Sequence, residues 1–424
     1  MSDLNVSVER CGKMLPAGQL LESGRGRARF RYLDSYLEME GAAPISVSLP
    51  LQEQAFDEDR TKTFFEGLLP EGFTRRTVAA GLKVQENDYL SILAALGSEC
   101  LGALQVTDGA LSPEEGSYEL LDDARVKELA GEGATEAVNI VVQCHLSLTG
   151  ASGKVGLYYE PDSGRWYLPK GAAASTHIVK QSHVRLRNIV VNEQLALRTA
   201  KKLGIETPDS FIINIGGGSD GEVLFATARY DRIIADEADR ISGLRRPYRL
   251  HQEDFAQAMG IPAGEKYENH QADYLSGVFQ IIRARTARPL QDMLKMWEYL
   301  VYDYIIGNSD NHIKNLSLLY SEDLRNIRLA PLYDVISTVV YDGSTREMSV
   351  SIDGKYSIDE ITRESFANQA EKVHLGKKAA MKRFDRLQNG FEKALNEAAY
   401  ELKEEGFKNA ETIRDAVLAH RRMR

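Results

Sequence analysis

The chain has 424 residues, 43% of them hydrophobic and 27% charged, with a formal charge of −10. That balance suits a globular protein with ample chain for a large core. It argues against a protein that coats nucleic acid over its whole surface, while leaving room for a local basic patch. Three scattered cysteines, Cys11, Cys100 and Cys144, imply neither a disulfide framework nor a zinc knuckle. With no leader-like start and no apolar run of spanning length, the expected setting is a reducing cytoplasm away from the membrane.

In chain order, short alternating runs predict strands at Val6–Val8, Ala28–Tyr32 and Ile45–Leu49, and helices at Thr61–Leu69 and Asp88–Leu96. Residues 111–135 are acidic and polar and read as a linker followed by a short helix. Strands are expected at Val155–Tyr159, Trp166–Pro169 and His177–Lys180. A helix then spans Asn188–Leu203, with Gly204 placed as its C-terminal stop. Residues 211–228 read as a hairpin. Beyond residue 250 helices dominate, at roughly 252–259, 270–284, 288–306, 358–373 and 376–406, interrupted by strand-like runs at Leu316–Tyr320 and Ile327–Leu329. A strand-rich half therefore precedes a helical half, an α+β chain.

The strongest chemical signal is Ile-Gly-Asn-Ser-Asp-Asn-His-Ile-Lys-Asn, residues 306–315. Asp310 and Asn315 have the spacing D-x-x-x-x-N. In a kinase catalytic loop the first faces the acceptor hydroxyl as base and the second holds Mg²⁺. Asp334 follows a predicted hairpin, where a second metal-binding carboxylate is expected. His312 lies in the same loop, within reach of phosphate or of Asp310. Asn, Ser and Asp also crowd ordinary turns, so it is the order of helix, loop, hairpin and second carboxylate that favours phosphoryl transfer.

A second signal is Ser-Leu-Thr-Gly-Ala-Ser-Gly-Lys, residues 147–154. Small residues at Thr149, Gly150, Ala151, Ser152 and Gly153 let backbone amides approach phosphate oxygens, and Lys154 adds charge. Leu148 and Val155 break the Walker pattern, and a strand follows, as in a kinase glycine-rich loop. Lys180 on a strand and Glu193 on the next helix have the order of the lysine–glutamate pair that fixes nucleotide phosphates. Tyr230 and Asp231 fall at the border of the two halves, where adenine and ribose would bind; an ion pair of Asp231 with Arg229 is the simpler alternative. Gly216, Gly218 and Gly221 match G-x-G-x-x-G, but a strand follows them, which leaves a hairpin tip without a ligand. Lys378 and Lys382 share a helix face, either solvated or in contact with DNA phosphates.

Read together, these segments resemble the HipA family, serine/threonine kinases of bacterial type II toxin–antitoxin modules. Phe-Phe-Glu-Gly-Leu-Leu-Pro-Glu-Gly (64–72), Leu-Gly-Ser-Glu-Cys-Leu-Gly-Ala-Leu (96–104), Pro-Lys-Gly (169–171), Thr-His-Ile-Val-Lys (176–180), Arg-Tyr-Asp-Arg (229–232), Gln-Glu-Asp-Phe-Ala-Gln-Ala-Met-Gly (252–260) and Tyr-Asp-Val-Ile-Ser (333–337) stand in the family's order. The resemblance implies a two-lobed kinase-like fold with a HipA-like N-terminal subdomain over 1–110, a kinase N-lobe over 111–228 and a helical C-lobe over 229–424. It implies ATP and Mg²⁺, with Asp310 as base, Asn315 and Asp334 on the metal, and Lys180 and the 149–154 loop on phosphates. Ser147 aligns with the serine whose autophosphorylation ejects that loop. The implied partners are a HipB-like helix-turn-helix antitoxin, operator DNA through that complex, and a protein acceptor such as glutamyl-tRNA synthetase, whose modification would halt growth and favour persistence. A small-molecule kinase and a non-catalytic regulator of the same fold are the alternatives.

Overall fold

The structure, a computed structural model, describes residues 3–24, 26–109, 116–131, 153–182 and 186–422. It divides into two compact units that interleave along the chain. One comprises the chain up to Gln181 with Ala226–Ala263 and Leu319–Ile327; the other comprises Ser182–Phe225, Gly264–Leu318 and everything from Arg328 on.

The first unit begins with an antiparallel sheet in which β1 (Leu4–Arg10) lies between β2 (Lys13–Gly24) and β4 (Leu104–Thr107), with β3 (Arg27–Tyr32) outside β2. Strand β3 alternates exposed and buried residues, sending Ala28, Phe30 and Tyr32 inward, as the two-residue period of a strand requires. Phe30 and Tyr32 pack edge to face at 4.8 Å, and Phe65 meets Phe30 at 5.2 Å. Phe65 comes from the Glu58–Glu66 helix, whose N-terminus is closed by the Asp57 carboxylate accepting from Arg60 N.

Residues Ile45–Leu49 depart from expectation. They form a tight turn with one bridge between Ser46 and Leu49, not a strand. The turn is held by partners distant in sequence. Glu253 accepts from Ser46 Oγ (2.5 Å) and Val47 N (2.9 Å), and His251 Nε2 bonds Ile45 O at 2.7 Å. Likewise Gln252–Asp254, expected to open a helix, is a short strand; the helix starts only at Phe255, with Asp254 as its cap.

The second sheet contains β5 (Ser117–Leu121), β7 (Arg165–Lys170), β6 (Lys154–Glu160) and β8 (His177–Gln181), adjacent in that order. Strand β5 falls in the stretch read from sequence as linker; it pairs with β7 from Ser117↔Lys170 to Leu121↔Trp166. The Asp123–Gly131 helix follows it, as expected.

The second unit is mostly helical. Helices Ile189–Lys202, Tyr274–Arg285, Pro289–Ile306, Arg363–Lys372 and Lys377–Glu404 match the expected ones to within a few residues. A further helix, Asn409–Arg422, and the hairpin Glu347–Ile352 with Lys355–Ser357 were not foreseen. Pro289–Ile306 is the axis of this unit. Proline opens it, where the missing N–H is harmless. Its aromatic side chains are buried, yet each polar tip finds a carbonyl: Trp297 Nε1 on Ala380 (3.0 Å), Tyr299 on Ala330 (3.0 Å), Tyr302 on Ala196 (2.6 Å) and Tyr304 on Ile361 (2.8 Å). Four segments are thereby tied to one helix without leaving a buried donor unsatisfied. Among the described residues, no helix is long and apolar enough to cross a membrane.

Candidate active site

The Pro289–Ile306 helix ends at Gly307, whose φ of +79° lies in the left-handed region. A side chain there would also collide with Val339 Cγ2, 2.4 Å from an added Cβ. Glycine thus turns the chain sharply out of the helix into the loop that carries Asp310.

That loop is braced from below. Asp303, one turn before the helix end, is fully buried, and its carboxyl accepts from Asn308 Nδ2 at 2.9 Å and from Asn311 Nδ2. Burial pushes its pKa up to about 8, and the two amide donors pull it back only in part. Ser309 is fixed from the side: its N–H and hydroxyl meet Thr338 Oγ1 at 2.9 and 2.7 Å, while Thr338 also bonds Gly307 O. Within this frame Asp310 is exposed. Its N–H donates to Asn308 Oδ1 at 3.1 Å, and Asn315 Nδ2 donates to its carbonyl at 3.1 Å. The loop therefore curls so that Asn315 closes back on Asp310. With its amide N–H committed, Asn315 Oδ1 is the atom able to ligate a cation. His312 is buried, its ring edge-to-face with Tyr267 at 5.2 Å.

Asp334 is half-buried and adopts φ +56°, uncommon for a residue with a side chain although tolerated best by Asp and Asn. The Tyr333 hydroxyl anchors its neighbourhood, meeting Ser317 Oγ at 2.7 Å and Lys314 O at 3.1 Å. On the Ile189–Lys202 helix, Glu193 is buried. Its neighbour Asn192 holds the stretch after Asp334, donating to Ser337 O and accepting from Ser337 N, both at 2.9 Å. Among the described residues no cluster of three or more His, Cys, Asp or Glu could hold a metal ion. Asn315 and Asp334 offer one amide and one carboxylate, the all-oxygen donors a hard cation such as Mg²⁺ prefers, completed by water and phosphate.

In the first unit, Lys154 and Lys180 face each other directly across β6 and β8. The register places both side chains on the same face of the sheet, where they concentrate positive charge. Gly153 precedes this pair; Ser147, Thr149, Gly150, Ala151 and Ser152 lie outside the described residues.

Asp231 takes the simpler of its two sequence readings. It is buried and bonded to Arg229 Nε (2.9 Å), Arg229 Nη2 (2.8 Å) and Gly102 N (2.8 Å). Burial alone would raise its pKa, but Arg229 and Arg232 outweigh that and hold it low. It belongs to a buried ion cluster centred on Glu99, which meets Arg229 (3.1 Å), Arg232 (2.9 Å) and Arg249 (2.7 Å); Arg249 also reaches Glu9 at 3.2 Å. Tyr230 is half-buried with its hydroxyl on Gln252 Oε1. Lys378 and Lys382 are exposed, whereas Lys377 and Arg383 of the same stretch pair with Glu371 and Glu298.

Asp303, Tyr267 and Glu268 were not picked out from the sequence. Asp303 did leave a signal, an acid inside the apolar run Val-Tyr-Asp-Tyr-Ile-Ile.

Residues 146–395 match the family model of the HipA-like C-terminal domain and residues 11–107 that of the HipA N-terminal domain. A putative kinase, Y4mE, of Sinorhizobium fredii is 30% identical over 383 residues, covering 87% of this chain and 86% of the relative. The serine/threonine-protein kinase toxin HipA of Shewanella oneidensis is 24% identical over 331 residues, covering 75% of this chain and 72% of that one. Among solved structures, Shewanella oneidensis HipA, determined with HipB and its operator DNA, superposes with a TM-score of 0.79 over 98% of this chain and 96% of that one at 21% identity, which shows a common fold. The fold is kinase-like and the enzyme is a protein kinase. More narrowly, the chain belongs to the HipA family.

Proposed function

We propose that this kinase is a HipA-type toxin that transfers the γ-phosphoryl group of ATP to a serine or threonine hydroxyl of a protein acceptor. The observation that carries the reading is the exposed Asp310, held at the tip of a loop whose every neighbour is braced and closed by Asn315. In this reading the Asp310 carboxylate takes the acceptor's hydroxyl proton while the hydroxyl oxygen bonds to the γ-phosphorus and the bond to the β-phosphate oxygen breaks, releasing ADP. Asn315 and Asp334 would hold Mg²⁺, which when bound neutralises phosphate charge. The Lys154–Lys180 pair supplies positive charge for the phosphates. Catalysis is then positioning plus charge neutralisation.

By family resemblance the acceptor is a translation component, glutamyl-tRNA synthetase being the candidate, and its modification halts growth and promotes persistence. The Shewanella complex with HipB and operator DNA supports a HipB-like antitoxin as partner, with Lys378 and Lys382 offered to DNA phosphates. Ser147 is the proposed site of self-inactivation. The test is Asp310→Asn, with radiolabelled ATP in a lysate depleted of endogenous kinases. Protein labelling should fall by about 10²–10⁴-fold while ATP affinity stays within about twofold. Labelling at the wild-type rate would refute the assignment.

A further inference from the structure

Tyr267 is a large side chain left 50% exposed, and its hydroxyl donates to Asp310 Oδ1 at 2.7 Å. Asp310 is the carboxylate to which an acceptor hydroxyl would donate. A phenol therefore occupies Oδ1, one of the two carboxylate oxygens to which the acceptor in the proposed reaction would donate.

The placement is built from below. Glu268, the next residue, is buried, and one carboxylate oxygen accepts from Ser351 N (3.2 Å), Ser351 Oγ (2.6 Å) and the Tyr356 hydroxyl (2.8 Å). The other accepts from Tyr274 N at 2.9 Å. Glu268 N in turn donates to Ser349 O at 2.9 Å, and Ser349 donates through both N (3.0 Å) and Oγ (2.6 Å) to the carbonyl of Ser309, the residue before Asp310. Tyr267 and Asp310 thus each adjoin a residue bonded to the same Ser349. On its other side the Tyr267 ring packs edge-to-face on buried His312 at 5.2 Å. The backbone is fixed at one end and the ring at the other, which leaves the hydroxyl aimed at the carboxylate.

We propose that Tyr267 is a specificity-determining residue of the transfer reaction: its hydroxyl holds the acceptor position on Asp310 against water and gives way to the hydroxyl of a docked protein. An exposed carboxylate beside bound ATP would otherwise activate water, and ATP would be hydrolysed without phosphorylating anything. A protein acceptor buries enough surface to displace one hydrogen bond, and a single water molecule does not. The inference rests on the reading of Asp310 as the base.

The test compares wild type, Tyr267→Phe, Asp310→Asn and the double variant, all as the full chain with MgATP and no added protein acceptor, measuring the initial rate of inorganic phosphate release, to which phosphorylation of Ser147 does not contribute. Tyr267→Phe keeps the ring and its packing on His312, so the thermal midpoint and the KM for ATP should match wild type. Its hydrolysis kcat should rise on the order of tenfold, the worth of one hydrogen bond to a charged group. The rise should vanish in the double variant. Hydrolysis by Tyr267→Phe that equals or falls below wild type, with Asp310→Asn inactive, overturns the role of Tyr267 while sparing the catalytic reading. Full turnover by Asp310→Asn overturns the reading beneath it. Phosphate found on Tyr267 by mass spectrometry would make it an acceptor and would also overturn the proposal.

Discussion

Replacing Asp303 by alanine tests whether the loop that carries Asp310 is held from inside the protein. The carboxyl accepts the side-chain amides of Asn308 and Asn311, which are 1% and 4% exposed. Alanine leaves both donors buried without an acceptor, at about 1–3 kcal/mol each, and relaxation recovers part of that. We expect a loss of about 2–4 kcal/mol in the unfolding of the second unit, followed through the fluorescence of Trp297, which lies on the same helix. The pH dependence gives a sharper signature. With its pKa raised to about 8, Asp303 binds a proton in the native state that the unfolded chain releases near pH 4. The native state then holds the extra proton between about pH 4 and 8, so this residue makes stability fall as pH rises through that window, by about 1.4 kcal/mol per pH unit, and flatten above it. Glu253, raised by burial to about 7, adds a slope of the same sign in the first unit. Asp303→Asn cannot titrate, so its urea midpoint should decline less steeply than wild type between pH 5 and 8. Parallel profiles for the two proteins, or a loss below about 0.5 kcal/mol for the alanine variant, would refute the reasoning.

Two further outcomes are expected. Glu99→Gln leaves Arg229, Arg232 and Arg249 buried with one negative charge fewer; it should destabilise the first unit by about 3–5 kcal/mol, and an unchanged thermal midpoint would contradict that. Wild-type protein incubated with MgATP should gain one phosphate on Ser147, and a tryptic map showing that peptide unmodified would remove self-inactivation from the account.

What could be read in advance was what depends on neighbours in sequence. The Asp310–Asn315 spacing encodes one curl of loop, and the Pro289 and Gly307 boundaries of the preceding helix are local backbone chemistry. The misread elements owe their structure to distant partners. Ile45–Leu49 has strand-like composition but turns because Glu253 and His251 hold it, and no window around residue 47 contains them. Strand β5 carries Glu119 and exposed Leu120 on an acidic stretch, and only pairing with β7 makes it a strand. Asp231 was legible as half of an ion pair; its inclusion with Glu9 and Glu99 was not, because the cluster gathers residues from segments hundreds of positions apart. Tyr267 escaped for the same reason: nothing in Lys-Tyr-Glu says that residue 310 will lie beneath the phenol.

That cluster also bears on how the protein is made. Glu9 and Glu99 leave the ribosome long before Arg229, Arg232 and Arg249, and an unpaired carboxylate does not stay buried. Until those arginines emerge, Glu9 and Glu99 lack the partners that hold them as buried ions. Tyr320, whose hydroxyl meets Glu253 at 2.5 Å, arrives later still, after the Asp310 loop has been translated. A nascent chain thus has Lys154 and Lys180 early and completes the unit that carries them only once the residues proposed to do the chemistry have emerged. Products cut short before Tyr320 would on this account lack a contact that completes the first unit.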